Sequence, residues 1–405
     1  MWNFIRTNAR WLIAGLLLTF FSSFGQTFFI GLSGNDLRAR FDLSEGEFGL
    51  IYMGATLASA LVLPWAGRML DYIDGWKVAG VSLPLLAGAC LLMAFAPHVA
   101  VMGVAIWLLR LLGQGMMTHI ALTQTGRWFA ASRGRAVSLV VPGHQLGEAI
   151  LPMSFVAVAA LLGWQGAWIA AALLILVFAW PVIVMLLRRE RTPQSADIAA
   201  AQGGRQREWT RHEVLRDPVF YLLLAGVLAP PFIGTTIFFH QGHFIEQRGY
   251  DALVFASAFP LMAVTTIVFG FVCGALIDRF GAINILPFFL VPLTIASLTA
   301  GLLEPVWGVY LFMFLVGVSY GFTATLLGAL WPAVYGVRHL GSIRSAIVAA
   351  MVLSTAIGPG LTGLLIDLGI NLPDQLIFMA LWCVLASVCL WFAARIIRRR
   401  LAIPA

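Results

Sequence analysis

The sequence predicts an all-α membrane protein, with twelve transmembrane helices in two pseudo-symmetric six-helix bundles. Three observations carry this: an oily composition, twelve long apolar runs, and a short polar turn that recurs at half the chain length. Of 405 residues, 60% are hydrophobic and only 11% charged, and mean hydropathy is +0.92. A soluble domain carries roughly 25% charged residues, so this composition belongs in lipid.

The apolar runs fall near 11–36, 47–67, 77–97, 100–126, 134–161, 165–188, 217–245, 252–276, 283–302, 305–331, 343–367 and 374–397. Each is about 20 residues or longer, enough for a helix to cross a ~30 Å hydrocarbon core. They are continuously apolar rather than alternating, which excludes barrel strands. The first run follows Arg6 and Arg10 as a signal peptide would. It continues past 20 residues without a small-residue cleavage site, so it counts as the first helix.

Charge placement gives the expected orientation. With a cytoplasmic N-terminus, only Arg38, Arg40 and Arg248 fall in outside loops and Arg110 in none; every other basic residue lies inside. That asymmetry is the positive-inside pattern, and it places both termini in the cytoplasm of a multi-pass inner-membrane protein. The net charge of +7 thus reports topology, not nucleic-acid binding. Cys90, Cys273, Cys383 and Cys389 all lie inside apolar runs, without Cys-x-x-Cys spacing; they read as packing residues, and no metal site is expected. Arg188 to Arg216 is polar and arginine-rich, with Gly203-Gly204. It divides the chain into an N-terminal bundle (1–187), a cytoplasmic linker (188–216) and a C-terminal bundle (217–405).

The recurring turn is Gly67 to Lys77, GRMLDYIDGWK, and Gly274 to Asn284, GALIDRFGAIN. Both place Gly-x-x-x-Asp between long apolar segments. Two six-helix halves, this turn after the second helix of each, and a basic central loop resemble the major facilitator superfamily over the whole chain. The second copy, with Asp278, Arg279 and Gly281, fits the family's signature closely. In the first, Tyr72 replaces the usual basic residue and the glycine is displaced to Gly75. The resemblance implies rocking halves with a cytoplasmic gate. Asp71 would meet Arg68, Arg127 or Arg135, and Asp278 would meet Arg279, Arg338 or Arg344.

Further stretches resemble the monocarboxylate-porter and oxalate-antiporter branch. They are Arg127-Trp128-Phe129 with Arg133-Gly134-Arg135-Ala136, Gly143-x-x-x-Gly147 with Pro152, Gly163-Trp164-Gln165, and Phe238-Phe239-His240 with Arg248-Gly249. One departure is plain: those relatives hold substrate with a basic residue in helix 8, and Ala252 to Ala275 contains none.

Only two charges are expected deep in the spans, Arg110 and Glu148, at roughly 20–25 Å from the cytoplasmic helix ends. Each costs several kcal/mol there unless paired or hydrated. Gln114 shares a helix face with Arg110, and His144 and Gln145 lie within a turn of Glu148. An ion pair between them is geometrically plausible. The positions 207 and 209 residues later are Gly317 and Ile357, so the pair has no twin in the second half. Arg110 is suited to hold an anion because guanidinium stays charged. Glu148 is suited to take a proton, and His144 to share it. Gln26, His119, His240 and Tyr320 are further cavity candidates, with Thr323 and Thr325. His243 joins His240 as a possible external gate or proton entry, and Trp331 is expected as an interfacial anchor.

The expected function is secondary active symport of a small organic anion, a carboxylate, with protons, by alternating access, helices 1, 4, 7 and 10 lining the cavity. An efflux pump for amphipathic compounds is the alternative, since 12% of residues are aromatic. An enzyme is not expected, because no nucleophile or metal cluster accompanies Glu148 and His144. The expected partners are a small-molecule substrate, protons and membrane lipid. No nucleic acid and no cofactor are expected, and the chain is expected to act as a monomer.

Overall fold

A computed structural model describes residues 2–129, 132–189, 209–336 and 339–402. Every regular element among them is helical. Ten helices are long and apolar enough to span a membrane, and a bent pair adds another. The pair is α1, Phe4–Gly25 and Thr27–Phe41, bent by 45°. Next come α2 (Glu45–Leu70), α3 (Gly75–Phe95) and α4 (Val99–Trp128). The run Arg135–Leu187 is 53 residues long, nearly twice a membrane crossing, and it folds back at Gly163, where φ is +72°. Only glycine reaches that left-handed region without strain, so this run is two crossings, α5 and α6. The remainder are α7 (Pro218–Phe239), α8 (Ala252–Phe280), α9 (Ala282–Leu302), α10 (Trp307–Tyr335), α11 (Ile343–Asp367) and α12 (Leu372–Arg400). The twelve-span prediction therefore holds. Residues 190–208 of the expected linker, and Arg338, lie outside the described residues.

Contacts divide the chain into two compact units: Met1–Leu43 with Ile51–Gly203, and Ser44–Leu50 with Gly204–Ala405. In the first, α1 packs on α5 and on the end of α6, and α3 packs on α4 and α6. In the second, α7 packs on α11 and α12, and α9 packs on α12. The pairings α1–α5 and α7–α11, and α3–α6 and α9–α12, repeat six helices later. That is the structural form of the duplicated turn.

The leading helix of each unit is interrupted inside its span. In α1 a 3₁₀ turn, Ser22–Gly25, runs into extended Gln26 (φ −81°, ψ 154°). In α7 the helical pattern is interrupted at Leu228, just before Pro230 and Pro231. Prolines supply no N–H, and backbone groups freed in lipid must find partners within the protein. The Ser354 hydroxyl of α11 donates to Leu228 O at 3.0 Å, which also accepts from Phe232 N at 3.2 Å. In α1 the freed carbonyl is taken by a charge.

Candidate functional site

That charge is Arg110. At the break in α1, the N–H groups of Phe29 and Ile30 both donate to Gln26 O, which leaves Gly25 O available. Arg110 Nη1 donates to Gly25 O at 3.2 Å and to Thr27 Oγ1 at 3.4 Å. Thr27 also hydrogen-bonds the Tyr52 hydroxyl at 2.6 Å, and the guanidinium carbon lies 5.3 Å from the Tyr52 ring centroid. Arg110 is only 1% exposed, and its Nε has no hydrogen-bond partner among the described residues. It sits in a nine-residue π-helical stretch of α4, Leu109–Met117; π turns mostly occur singly and often mark functional sites. This stretch meets the break in α1 at a glycine-on-glycine crossing. A Cβ on Gly25 would stand 2.5 Å from Gln114 N and 2.8 Å from Gly113 Cα. Small residues allow such approach in lipid, and here it brings Arg110 within reach of the α1 carbonyl.

Glu148 approaches from α5. Gly143 and Gly147 lie against α1, in the space that Leu16 O, Thr19 Oγ1 and Ser23 Oγ leave only for residues without a side chain. Glu148 follows Gly147 and is 5% exposed. His144 Nε2 stands 3.4 Å from its Oε1, with the Phe28 ring 6.3 Å from the imidazole. Among the described residues, no carboxylate lies within ion-pair distance of Arg110. The Arg110–Glu148 pair that helix order made plausible is not formed, because Arg110 is engaged by the broken backbone and Glu148 by its own helix neighbour.

The other expected residues are spread over both units. In the first, Gln26 is half-buried with its backbone extended, Gln114 is half-buried in the π stretch, and the His119 ring packs against Gly67. In the second, the Tyr320 hydroxyl of α10 packs against Gly234 of α7. Trp331 is buried and stacked on Tyr335. It is therefore a packing residue and not the interfacial anchor its position near the end of α10 suggested. Of the gate candidates, Arg127 donates to Leu70 O and Arg135 lies over the Phe4 ring at 5.4 Å. Arg68 is exposed, and the side chain of Asp71 is outside the described residues. In the second copy Asp278 and Arg279 are exposed, Arg279 lies over Phe280 at 5.2 Å, and Arg344 donates to Gly328 O at 3.4 Å. Among the described residues, no ion pair joins Asp278 to Arg279 or Arg344.

Two buried acids escaped the sequence reading. Asp217 accepts two hydrogen bonds from Arg400, at 2.8 and 2.9 Å, and one from the Tyr335 hydroxyl at 3.1 Å. Burial pushes its carboxyl up, but these bonds and one from Val219 N outweigh it, and the net result lies below the usual carboxylate range. The second acid is Glu45, in the second unit and 6% exposed. Its Oε2 is hydrogen-bonded to His240 Nδ1 at 2.9 Å, and its Oε1 is 3.0 Å from His243 Nδ1. His240, 1% exposed, turns its other nitrogen to Pro359 O at 2.9 Å. The i, i+3 histidines were visible in the sequence. Their partner was not, because Ser44-Glu45-Gly46-Glu47 reads as an ordinary acidic helix start.

The major facilitator superfamily model matches residues 15–359 and 261–402. Two crystal structures of a bacterial homolog to the human lysosomal transporter Spinster share the fold. One is inward-facing and unoccupied, with a TM-score of 0.73 at 15% identity, over 98% of this chain and 99% of that one. The other is inward-facing and occupied, with a TM-score of 0.72 at 15% identity, over 97% and 98%. No curated protein sequence matches. With its twelve spans and a family match that runs nearly end to end, this chain belongs to the major facilitator superfamily of membrane transporters.

Proposed function

We propose that the chain carries a small organic anion, a carboxylate, across the inner membrane together with protons, by alternating access and as a monomer. Both termini would be cytoplasmic, as the arginine distribution implies. One observation supports the reading above others: a permanently charged guanidinium buried against a carbonyl, a hydroxyl and an aromatic ring, with no carboxylate at ion-pair distance among the described residues. A cation in lipid without a counter-charge is costly, and a substrate carboxylate would supply the missing charge through the planar fork of donors. Glu148 with His144 supplies a proton-accepting pair in the same unit. The similarity to monocarboxylate and oxalate porters is consistent with this. The stretch Ala252 to Ala275 of α8 contains no basic residue, so the anion site would lie at Arg110 rather than at its place in those relatives.

The test is uptake into proteoliposomes over a panel of carboxylates, with and without a proton gradient. Arg110→Ala is expected to abolish anion binding. Glu148→Gln is expected to keep exchange but lose pH-driven accumulation. Equal, pH-independent transport by wild type and both variants rejects the scheme. Export of amphipathic compounds that need no carboxylate establishes the efflux reading instead.

A further inference from the structure

The second unit holds a titratable cluster that the anion scheme does not use. His240 has acceptors on both ring nitrogens: Pro359 O faces Nε2 and Glu45 Oε2 faces Nδ1, each at 2.9 Å. A carbonyl only accepts, so Nε2 carries hydrogen. A neutral imidazole then presents a lone pair at Nδ1, opposite a carboxylate that also only accepts. The 2.9 Å hydrogen bond therefore requires one more proton between them. Imidazole is the stronger base, with a reference value of about 6.5 against about 4.3 for a glutamate carboxyl, so that proton belongs on His240. Glu45 then stands between two rings. His243 Nδ1 lies 3.0 Å from its second oxygen, and His243 Nε2 is buried without a hydrogen-bond partner among the described residues.

We infer that Glu45, His240 and His243 form a proton-binding site in the second unit, distinct from His144 and Glu148, with His240 held as the imidazolium. Its occupant is a proton, held between two fixed acceptors and lost only with the hydrogen bond that needs it. His243 Nε2 is the place for a second.

The surroundings fit this role. The carboxylate is carried on Ser44–Leu50, which the contacts place in the second unit. Asp367, at the end of α11, fixes that segment by accepting from Ser44 Oγ at 2.7 Å and from Gly46 N at 3.0 Å. Phe48 stacks on Phe239 at 4.8 Å between centroids. The other charges on the elements packed around the cluster have partners of their own. Glu47 accepts from Ser44 N, Arg248 pairs with Glu304 at 3.2 Å, and Asp251 caps Leu253 N. Glu246 is exposed. Deprotonating His240 would leave a lone pair facing a carboxylate, which loosens the segment from α7 and α11; keeping the proton fastens it.

The experiment is nitrogen NMR of the full-length protein, labelled with [¹⁵N]histidine and reconstituted in liposomes, at neutral pH. The chain has seven histidines, so the spectrum is small enough to assign by substitution. One imidazolium signal, with both ring nitrogens protonated, is expected. It should be lost in His240→Gln and retained in His144→Gln. In Glu45→Gln it should convert to a neutral Nε2–H ring. A neutral His240 in wild type, or an imidazolium that persists in Glu45→Gln, overturns the site. If Glu45→Gln does not fold, the wild-type and His240→Gln spectra decide. Arg110→Ala leaves this signal untouched, so failure of the anion reading and failure of the proton site are separable.

Discussion

Replacing Gly25 by alanine adds one methyl group at the point where the broken α1 crosses the π stretch of α4. The added Cβ would stand 2.5 Å from Gln114 N and 2.8 Å from Gly113 Cα, with Leu109 O also against it. All three are backbone atoms, so no side chain can rotate away. Reaching ordinary contact near 3.4 Å means opening the crossing by about 1 Å. Overpacking costs about 1–3 kcal/mol. Opening also breaks the Arg110 bonds to Gly25 O and Thr27, which already stand at 3.2 and 3.4 Å. Hydrogen bonds to a charged group contribute about 1.5–3 kcal/mol, so the total expected loss is about 2.5–6 kcal/mol. Gly54 is the control, with nothing within 4 Å of its would-be Cβ. Thermal unfolding of purified protein in detergent should show Gly25→Ala strongly destabilised and Gly54→Ala unchanged or slightly better. Equal melting of Gly25→Ala and wild type would refute the crossing as the element that places Arg110.

Asp217→Asn should remove about 2 kcal/mol at neutral pH, discounted because Arg400 is partly exposed. The Asp217 carboxyl lies below its ordinary value in the folded protein. Its contribution is therefore complete above about pH 4 and fades as pH falls through the folded value. The melting difference between wild type and variant should stay constant from neutral pH down to about 5 and then close; a gap that widened in acid would contradict the assignment. At the α5–α6 turn, Gly163→Ala places a side chain at φ +72° and should cost about 1–2 kcal/mol. A denaturation series checks it, and a stabilised variant would show that the turn can relax.

The spans were legible because lipid imposes one requirement on every residue of a crossing, and twelve apolar runs meet it. The fold-back at Gly163 was equally plain in Gly163-Trp164-Gln165-Gly166. The interruption of α1 was not: Gln26 lies in a run of phenylalanines and small residues with no proline to announce it. The π stretch is invisible for a related reason, since Leu109–Met117 has an unremarkable α-helical composition and owes its register to what packs on it. Arg110 and Glu148 stood out as charges in oil, yet their separate partners depend on a carbonyl freed by that interruption. Glu45 was missed because it sits in what reads as an ordinary acidic helix start, two residues before the apolar run that begins at 47. Asp217 was placed at the start of the C-terminal bundle but not read as a buried acid, although Asp-Pro at a helix start was there to be read.

A π-helical stretch has a mechanical corollary. Each residue it holds in the wider register is slack relative to an α-helix, in which one residue corresponds to about 100° of rotation. Returning one turn of Leu109–Met117 to the tighter winding would turn the guanidinium relative to the α1 carbonyl. The helix that carries Arg110 thus contains its own swivel, and an anion held there as proposed would be released by rewinding a single turn.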